Sequence, residues 1–134
     1  MNVNEKGDMA IFKVCLIAAE KGYIVSKPLS ESSRYDLVLD DGKKLLKTQV
    51  KFADGKLTNT DRSIRVSLEK RYGDRSMTYT SDEIDVLLVY VSKVDKVCVF
   101  YPEHFVGKKN LHIRLVPTKN NQTKGCTMLE NHVW

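Results

Sequence analysis

Apolar and polar positions change rhythm several times along this 134-residue chain, and each rhythm predicts an element. Over Asp8–Lys21 the residues Met9, Phe12, Cys15, Leu16 and Ala19 recur at helical spacing, with Lys13 and Glu20 on another face. Gly7 or Asp8 fits the start of this helix, and Gly22 fits a left-handed stop. Tyr23–Ser26 predicts a short edge strand that ends at Pro28. After a polar loop, Leu29–Arg34, the runs Tyr35–Leu39 and Lys44–Phe52 flank Asp40-Asp41-Gly42. That is a hairpin signal, because Asp and Gly tolerate the positive φ of a tight turn. Ser63–Glu69 alternates Ile64, Val66 and Leu68 against Arg65, Ser67 and Glu69, as a half-buried strand does. Lys70–Thr80 is polar and irregular, and Ser81-Asp82-Glu83 opens a short helical turn. Asp85–Val91 is almost unbroken in its apolar, β-branched character, which predicts a strand buried on both faces. Val97–Tyr101 returns beside it until Pro102, and Leu111–Val116 is the last strand. A polar loop follows Pro117. The final apolar patch, around Met128, Val133 and Trp134, packs either on its own domain or against a second copy.

One helix followed by strands in both connection styles predicts an α/β fold, a mixed β-sheet with the N-terminal helix packed on it. The length suits one domain, residues 1–134, with its core over about 5–116 and a basic C-terminal extension over about 117–134. Net charge is +5, which permits a nucleic-acid partner without demanding one. From His104 onward Lys108, Lys109, Arg114, Lys119 and Lys124 face a single acid, Glu130. Cys15, Cys98 and Cys126 lack zinc-type spacing and read as reduced thiols, and His104, His112 and His132 read as surface or structural residues. Without a signal-peptide pattern or a membrane-length apolar run, the expected location is the cytoplasm, with no membrane partner.

The hairpin adds chemistry to this frame. A turn centred on Asp41-Gly42 sets Asp36 opposite Lys47 and diagonal to Gln49. Alternation then puts Asp36, Lys47, Gln49 and Lys51 on one face and Leu37, Leu39, Leu46 and Val50 on the other. An acid, a carboxamide and an ammonium converge there. Each also has a plain structural reading, Asp36 and Lys51 as exposed strand residues and Asp8 as a helix cap.

Asp36 followed by Gln49-Val50-Lys51 on the next strand resembles the PD-(D/E)XK nuclease family, with Tyr35 in place of the proline and Gln49 in place of the second acid. Lys6-Gly7-Asp8, Lys21-Gly22-Tyr23, Tyr35–Leu39 and Asp82–Tyr90 follow in the order of one branch, so the likeness spans roughly residues 5–101. That branch includes bacterial homing endonucleases carried by group I introns, which also use Gln-x-Lys.

The resemblance implies a restriction-endonuclease-like core and a divalent-metal-dependent DNA endonuclease. The implied cofactor is Mg²⁺ (or Mn²⁺), held by Asp36, Gln49 and the backbone carbonyl of Val50, with Lys51 catalytic beside Asp36 and Gln49. Many relatives carry another acid in the first helix, where this chain has Ile11. Asp8 is the best substitute, on the side of Phe12 and Cys15; Glu20 is a poorer one and Glu5 a third. The implied partner is double-stranded DNA, contacted by Arg34, Arg62, Arg65, Arg71, Arg75, Lys108, Lys109 and Arg114. Cutting both strands of a long site calls for a homo-oligomer, a dimer or a tetramer. The alternatives are a Holliday-junction resolvase and a DNA-binding domain that keeps the fold without catalysis.

Overall fold

A computed structural model describes residues 1–59, 62–116 and 127–134, without the side chains of residues 71 and 72. Lys119, Lys124, Cys126 and most of the basic extension therefore lie outside the described residues. The elements are α1 (Val3–Glu20), β1 (Ile24–Ser26), β2 (Leu37–Asp40), β3 (Leu45–Ala53), β4 (Ile64–Ser67), β5 (Lys70–Tyr72), β6 (Arg75–Met77), β7 (Val86–Val91), β8 (Lys96–Phe100), α2 (Pro102–Phe105) and β9 (Asn110–Ile113).

Five strands form one mixed sheet in the order β1-β2-β3-β7-β8. Only β3 and β7 run parallel within it. A parallel pair needs a crossover, and the segment between them carries β4, β5 and β6. β4 pairs antiparallel with β9 and covers one sheet face, while α1 covers the other. Every residue of β7 is buried, as the apolar run predicts, because its alternate side chains feed two cores. Val86, Leu88 and Tyr90 face α1, whereas Leu87, Val89 and Val91 face Ile64, Val66, Phe105 and Ile113.

The helix departs from expectation at its start and in its face. It begins at Val3, capped by the Asn2 side chain, which accepts the Glu5 N–H at 2.9 Å. Neither Gly7 nor Asp8 is the cap. The face against the sheet is Ala10, Val14 and Ala18, all essentially inaccessible, while Phe12 is 66% and Leu16 57% exposed. Small residues let the helix backbone approach the sheet closely, so the bulkier apolar pair is left outside. The C-terminal end matches expectation. Gly22 adopts φ +79°, its N–H bonds the Ala19 carbonyl and that of Tyr23 bonds Ala18, a Schellman stop.

The hairpin turns one residue later than expected. Asp40 pairs with Leu45, so the connection comprises residues 41–44, held by Asp41 Oδ1 accepting the N–H groups of Lys43 and Lys44 at 2.8 Å each. Val38 faces Lys47 and Leu37 faces Thr48, so one step further Asp36 meets Gln49, not Lys47. A shift of two residues leaves every side chain on its expected face.

Two elements were not legible as such. Lys70–Thr80 holds the β5–β6 ribbon, turned at Gly73 with φ +59°, and Pro102 opens α2 as well as ending β8. The C-terminal patch packs on its own fold. Trp134 donates its N–H to the Val97 carbonyl at 2.8 Å, its ring lies 6.3 Å from that of Tyr23, and Val133 bridges Cys98 along the outer edge of β8.

The corrected helix face predicts contrasting substitutions. Val14→Ala should cost roughly 2 kcal/mol, whereas Phe12→Ser should stay within about 0.5 kcal/mol. Urea denaturation of both variants measures the difference, and a larger loss for Phe12→Ser would contradict this packing.

Candidate active site

The site is built just before β2 begins, where β3 continues past its partner. Asp36 precedes the first residue of β2 and donates its N–H to the Thr48 carbonyl at 2.8 Å. Beyond that point, among the described residues, β3 has no strand on this side. The Asp36 carboxylate fills the gap, with Oδ2 accepting the Val50 N–H at 2.9 Å and Gln49 Nε2 at 2.8 Å. A strand residue points its N–H and C=O to the same edge, so the Val50 carbonyl opens on this edge too. Gln49 Nε2 lies 3.5 Å from it.

The early turns of α1 form the opposite wall. Asn4, Gly7, Asp8 and Ile11 enclose, with Asp36, Gln49 and Val50, a cleft of about 390 Å³. Asp8 is thus in the cleft and has no capping duty, so the capping alternative falls. Its position follows from Ile11 one turn later, not from Phe12, which faces outward. Glu20 sits at the far end of α1, and Glu5 is engaged by the cap, accepting Asn2 Nδ2 at 2.8 Å.

Lys51 is half-buried on the same sheet face as Gln49. Its Nζ lies 5.5 Å from the ring centroid of Tyr79, and the Arg34 guanidinium lies 5.3 Å from the same centroid. Tyr79 is 1% exposed, so this is an interior ring meeting two cations. Burial pushes the Lys51 ammonium down from its ordinary pKa, and the nearby Asp36 charge pulls it back up. Arg34 Nη1 pairs with Glu83 Oε2 at 2.8 Å, and Glu83 Oε1 accepts the Thr80 hydroxyl at 2.9 Å. Sequence reading missed Tyr79 and Glu83 as neighbours of the site, since both come from the crossover and nothing local marks them. Lys47 is drawn elsewhere, its Nζ to the Asp82 carbonyl and its N–H to Asp85 Oδ2 at 2.8 Å.

The basic residues named from sequence are dispersed. Arg65 is exposed on the outer side of β4 opposite His112, and with Lys56, Thr58 and Asn59 it lines a second cleft of about 450 Å³. Arg62, Arg75, Lys108 and Lys109 are exposed, and Arg71 lies in β5. Arg114 is half-buried, its Nε donating to the Val116 carbonyl at 3.2 Å. Arg34 is the exception, held inward by Glu83.

Among the described residues no three His, Cys, Asp or Glu side chains cluster as a metal site. The donor set here is of another kind: the Asp36 carboxylate, the Val50 carbonyl and the Gln49 amide, with Asp8 in the same cleft. A half-turn of the Gln49 terminal amide presents Oε1 in place of Nε2, giving an all-oxygen set. Hard divalent cations such as Mg²⁺ take such ligands, so the residues fit one.

A helix on a five-stranded mixed sheet, with this acid, amide and lysine at its open fork, defines a nuclease class. The family profile described as PD-(D/E)XK endonuclease matches residues 1–133, and the chain belongs to that family. Its members generally use divalent metal ions. A solved structure of a bacterial homing endonuclease, I-Ssp6803I, superposes with a TM-score of 0.80 at 28% sequence identity, covering 99% of this chain and 89% of that one. The fold is that of restriction-endonuclease-like homing endonucleases, as the D…QxK resemblance implied. No curated protein matches the chain.

The hydrogen bond from Gln49 to Asp36 sets up a direct test. Gln49→Glu replaces a donor by a second carboxylate facing Asp36, so the metal-free variant should melt below wild type. Saturating Mg²⁺ should raise its Tm more than that of wild type, because an added charge tightens cation binding. Differential scanning fluorimetry with and without Mg²⁺ measures this, and equal shifts would remove Gln49 from the ligand set.

Proposed function

We propose that this nuclease is a Mg²⁺- or Mn²⁺-dependent, site-specific endonuclease of double-stranded DNA, of the homing type. The observation that carries this reading is the Asp36 carboxylate at the open edge of β3, beside Gln49, the Val50 carbonyl and Lys51. No helix of the described residues is long and apolar enough to cross a membrane.

Hydrolysis bonds a water oxygen to phosphorus and breaks the bond to the 3′ oxygen, leaving a 5′-phosphate and a 3′-hydroxyl that takes up a proton. When bound, a divalent cation lowers the pKa of the attacking water and neutralises charge on the phosphoryl oxygens. Asp36 and the Val50 carbonyl hold the cation side of the site. Gln49 supplies a neutral ligand, and Asp8 brings the negative charge that Gln49 lacks. Lys51 orients the water and stabilises charge developing on the phosphate. Its ammonium lies over the buried Tyr79 ring.

DNA contact is assigned to the exposed basic side chains, above all Arg65 with Lys56 at the second cleft, and to Arg62, Arg75, Lys108 and Lys109. Arg34 takes a supporting role through Glu83. One chain presents one D…QxK site, so cutting both strands in one encounter requires a homo-oligomer, a dimer or tetramer with sites related by a dyad. With Trp134 packed on its own fold, the exposed Phe12 and Leu16 of α1 become the better apolar contact between copies than the C-terminal patch.

Cleavage with purified variants tests the reading. Asp36→Ala and Lys51→Ala should each lose at least about a hundredfold in rate while staying folded. Asp8→Asn should lose more than Glu20→Gln. Cleavage by Lys51→Ala at the wild-type rate would overturn the site, and cutting confined to a four-way junction would make the enzyme a resolvase.

A further inference from the structure

Gly7 is out of place by every internal criterion. It stands in the middle of the second turn of α1, where glycine is among the worst helix formers and alanine the best. Each of the other five glycines in the described residues has a positive φ, which explains it; Gly7 does not. A Cβ built on Gly7 meets no atom within 4 Å, so the protein's own packing does not require the side chain to be missing. The empty space is outside the chain, over an exposed position.

Gly7 also lies between two clefts. On one side it lines the cleft of about 390 Å³ with Asp8, Asp36 and Gln49. On the other it lines one of about 280 Å³ with Lys6, Lys51 and Phe52. Val3 and Val50 line both clefts too, and Gly7 is the member of that shared boundary without a side chain. Lys6, whose ammonium sits 5.8 Å from the Phe52 ring centroid, adds a cation beside that boundary.

We infer that the sugar-phosphate backbone of the cleaved strand crosses α1 at Gly7, with Lys6 as a phosphate contact, so that Gly7 is a positioning residue for the scissile phosphate. The inference rests on the active-site assignment above and adds the path of the strand. A Cβ at residue 7 stands between the backbone and the floor of both clefts. It moves the phosphate away from Asp36 and Lys51 without disturbing either side chain. Glycine is kept at a cost in helix stability because the ligand needs the space.

The test uses the full chain with Gly7→Ala and Gly7→Leu. Gly7→Ala should raise Tm by about 3 °C, since alanine favours the helix, and should lower kcat/KM on duplex DNA about tenfold. Gly7→Leu should keep the helix and lose about a hundredfold. Binding of the same DNA in Ca²⁺ should weaken in parallel, while the mass by light scattering without DNA stays that of wild type. Unchanged cleavage by Gly7→Ala overturns the inference, as does a lowered Tm, which would mean the Cβ meets the protein itself. A changed mass also overturns it, giving the space to a second copy. Lys51→Ala run alongside separates the two claims. If it is inactive and Gly7→Ala cuts normally, only the strand path falls; if it cuts normally, the site assignment falls and the strand path with it.

Discussion

The Asp36 carboxylate takes the place of a strand. Just before β2 begins, β3 turns an unpaired edge toward α1, and an edge N–H left without a partner is costly once shielded from water. Asp36 Oδ2 accepts the Val50 N–H and the Gln49 amide together, which fixes the carboxylate in space and leaves the Val50 carbonyl open beside it. Had β2 begun two residues earlier, that carbonyl would be paired and the cleft closed by backbone. The fold makes a site by starting a strand late, and α1 supplies the second wall.

The supports come from distant parts of the chain. The crossover between β3 and β7 brings Tyr79 under Lys51 and Glu83 onto Arg34, so two cations near the fork are held by an interior ring and a carboxylate. The same crossover delivers Asp85, which accepts the Lys47 N–H and ties the start of β7 to β3. Lys47 is thereby tied to the crossover, and in the proposed site the lysine beside Asp36 is Lys51.

Much of the site was legible in sequence for a reason of parity. The hairpin register slipped by two residues, and an even slip preserves which face each side chain takes, so Asp36, Gln49 and Lys51 converge as alternation predicts. The helix face was misread because hydrophobicity alone marks Phe12 and Leu16, whereas close packing on a sheet selects Ala10, Val14 and Ala18. Asp8 was assigned to the cleft on that mistaken face and reaches it through Ile11 and Gly7 instead. The β5–β6 ribbon, three residues per strand, is too short to show a period. Tyr79 stayed hidden because its neighbours are far off in sequence, and no local pattern announces a long-range contact.

In the proposed site the open edge at Asp36 holds the catalytic cation. The most direct measurement is anomalous diffraction from crystals of the protein grown or soaked with Mn²⁺. The expected result is a peak about 2.2 Å from an Asp36 carboxylate oxygen and from the Val50 carbonyl oxygen, with Gln49 turned to present Oε1. A peak ligated elsewhere, or saturating Mn²⁺ with no peak at Asp36, would contradict it.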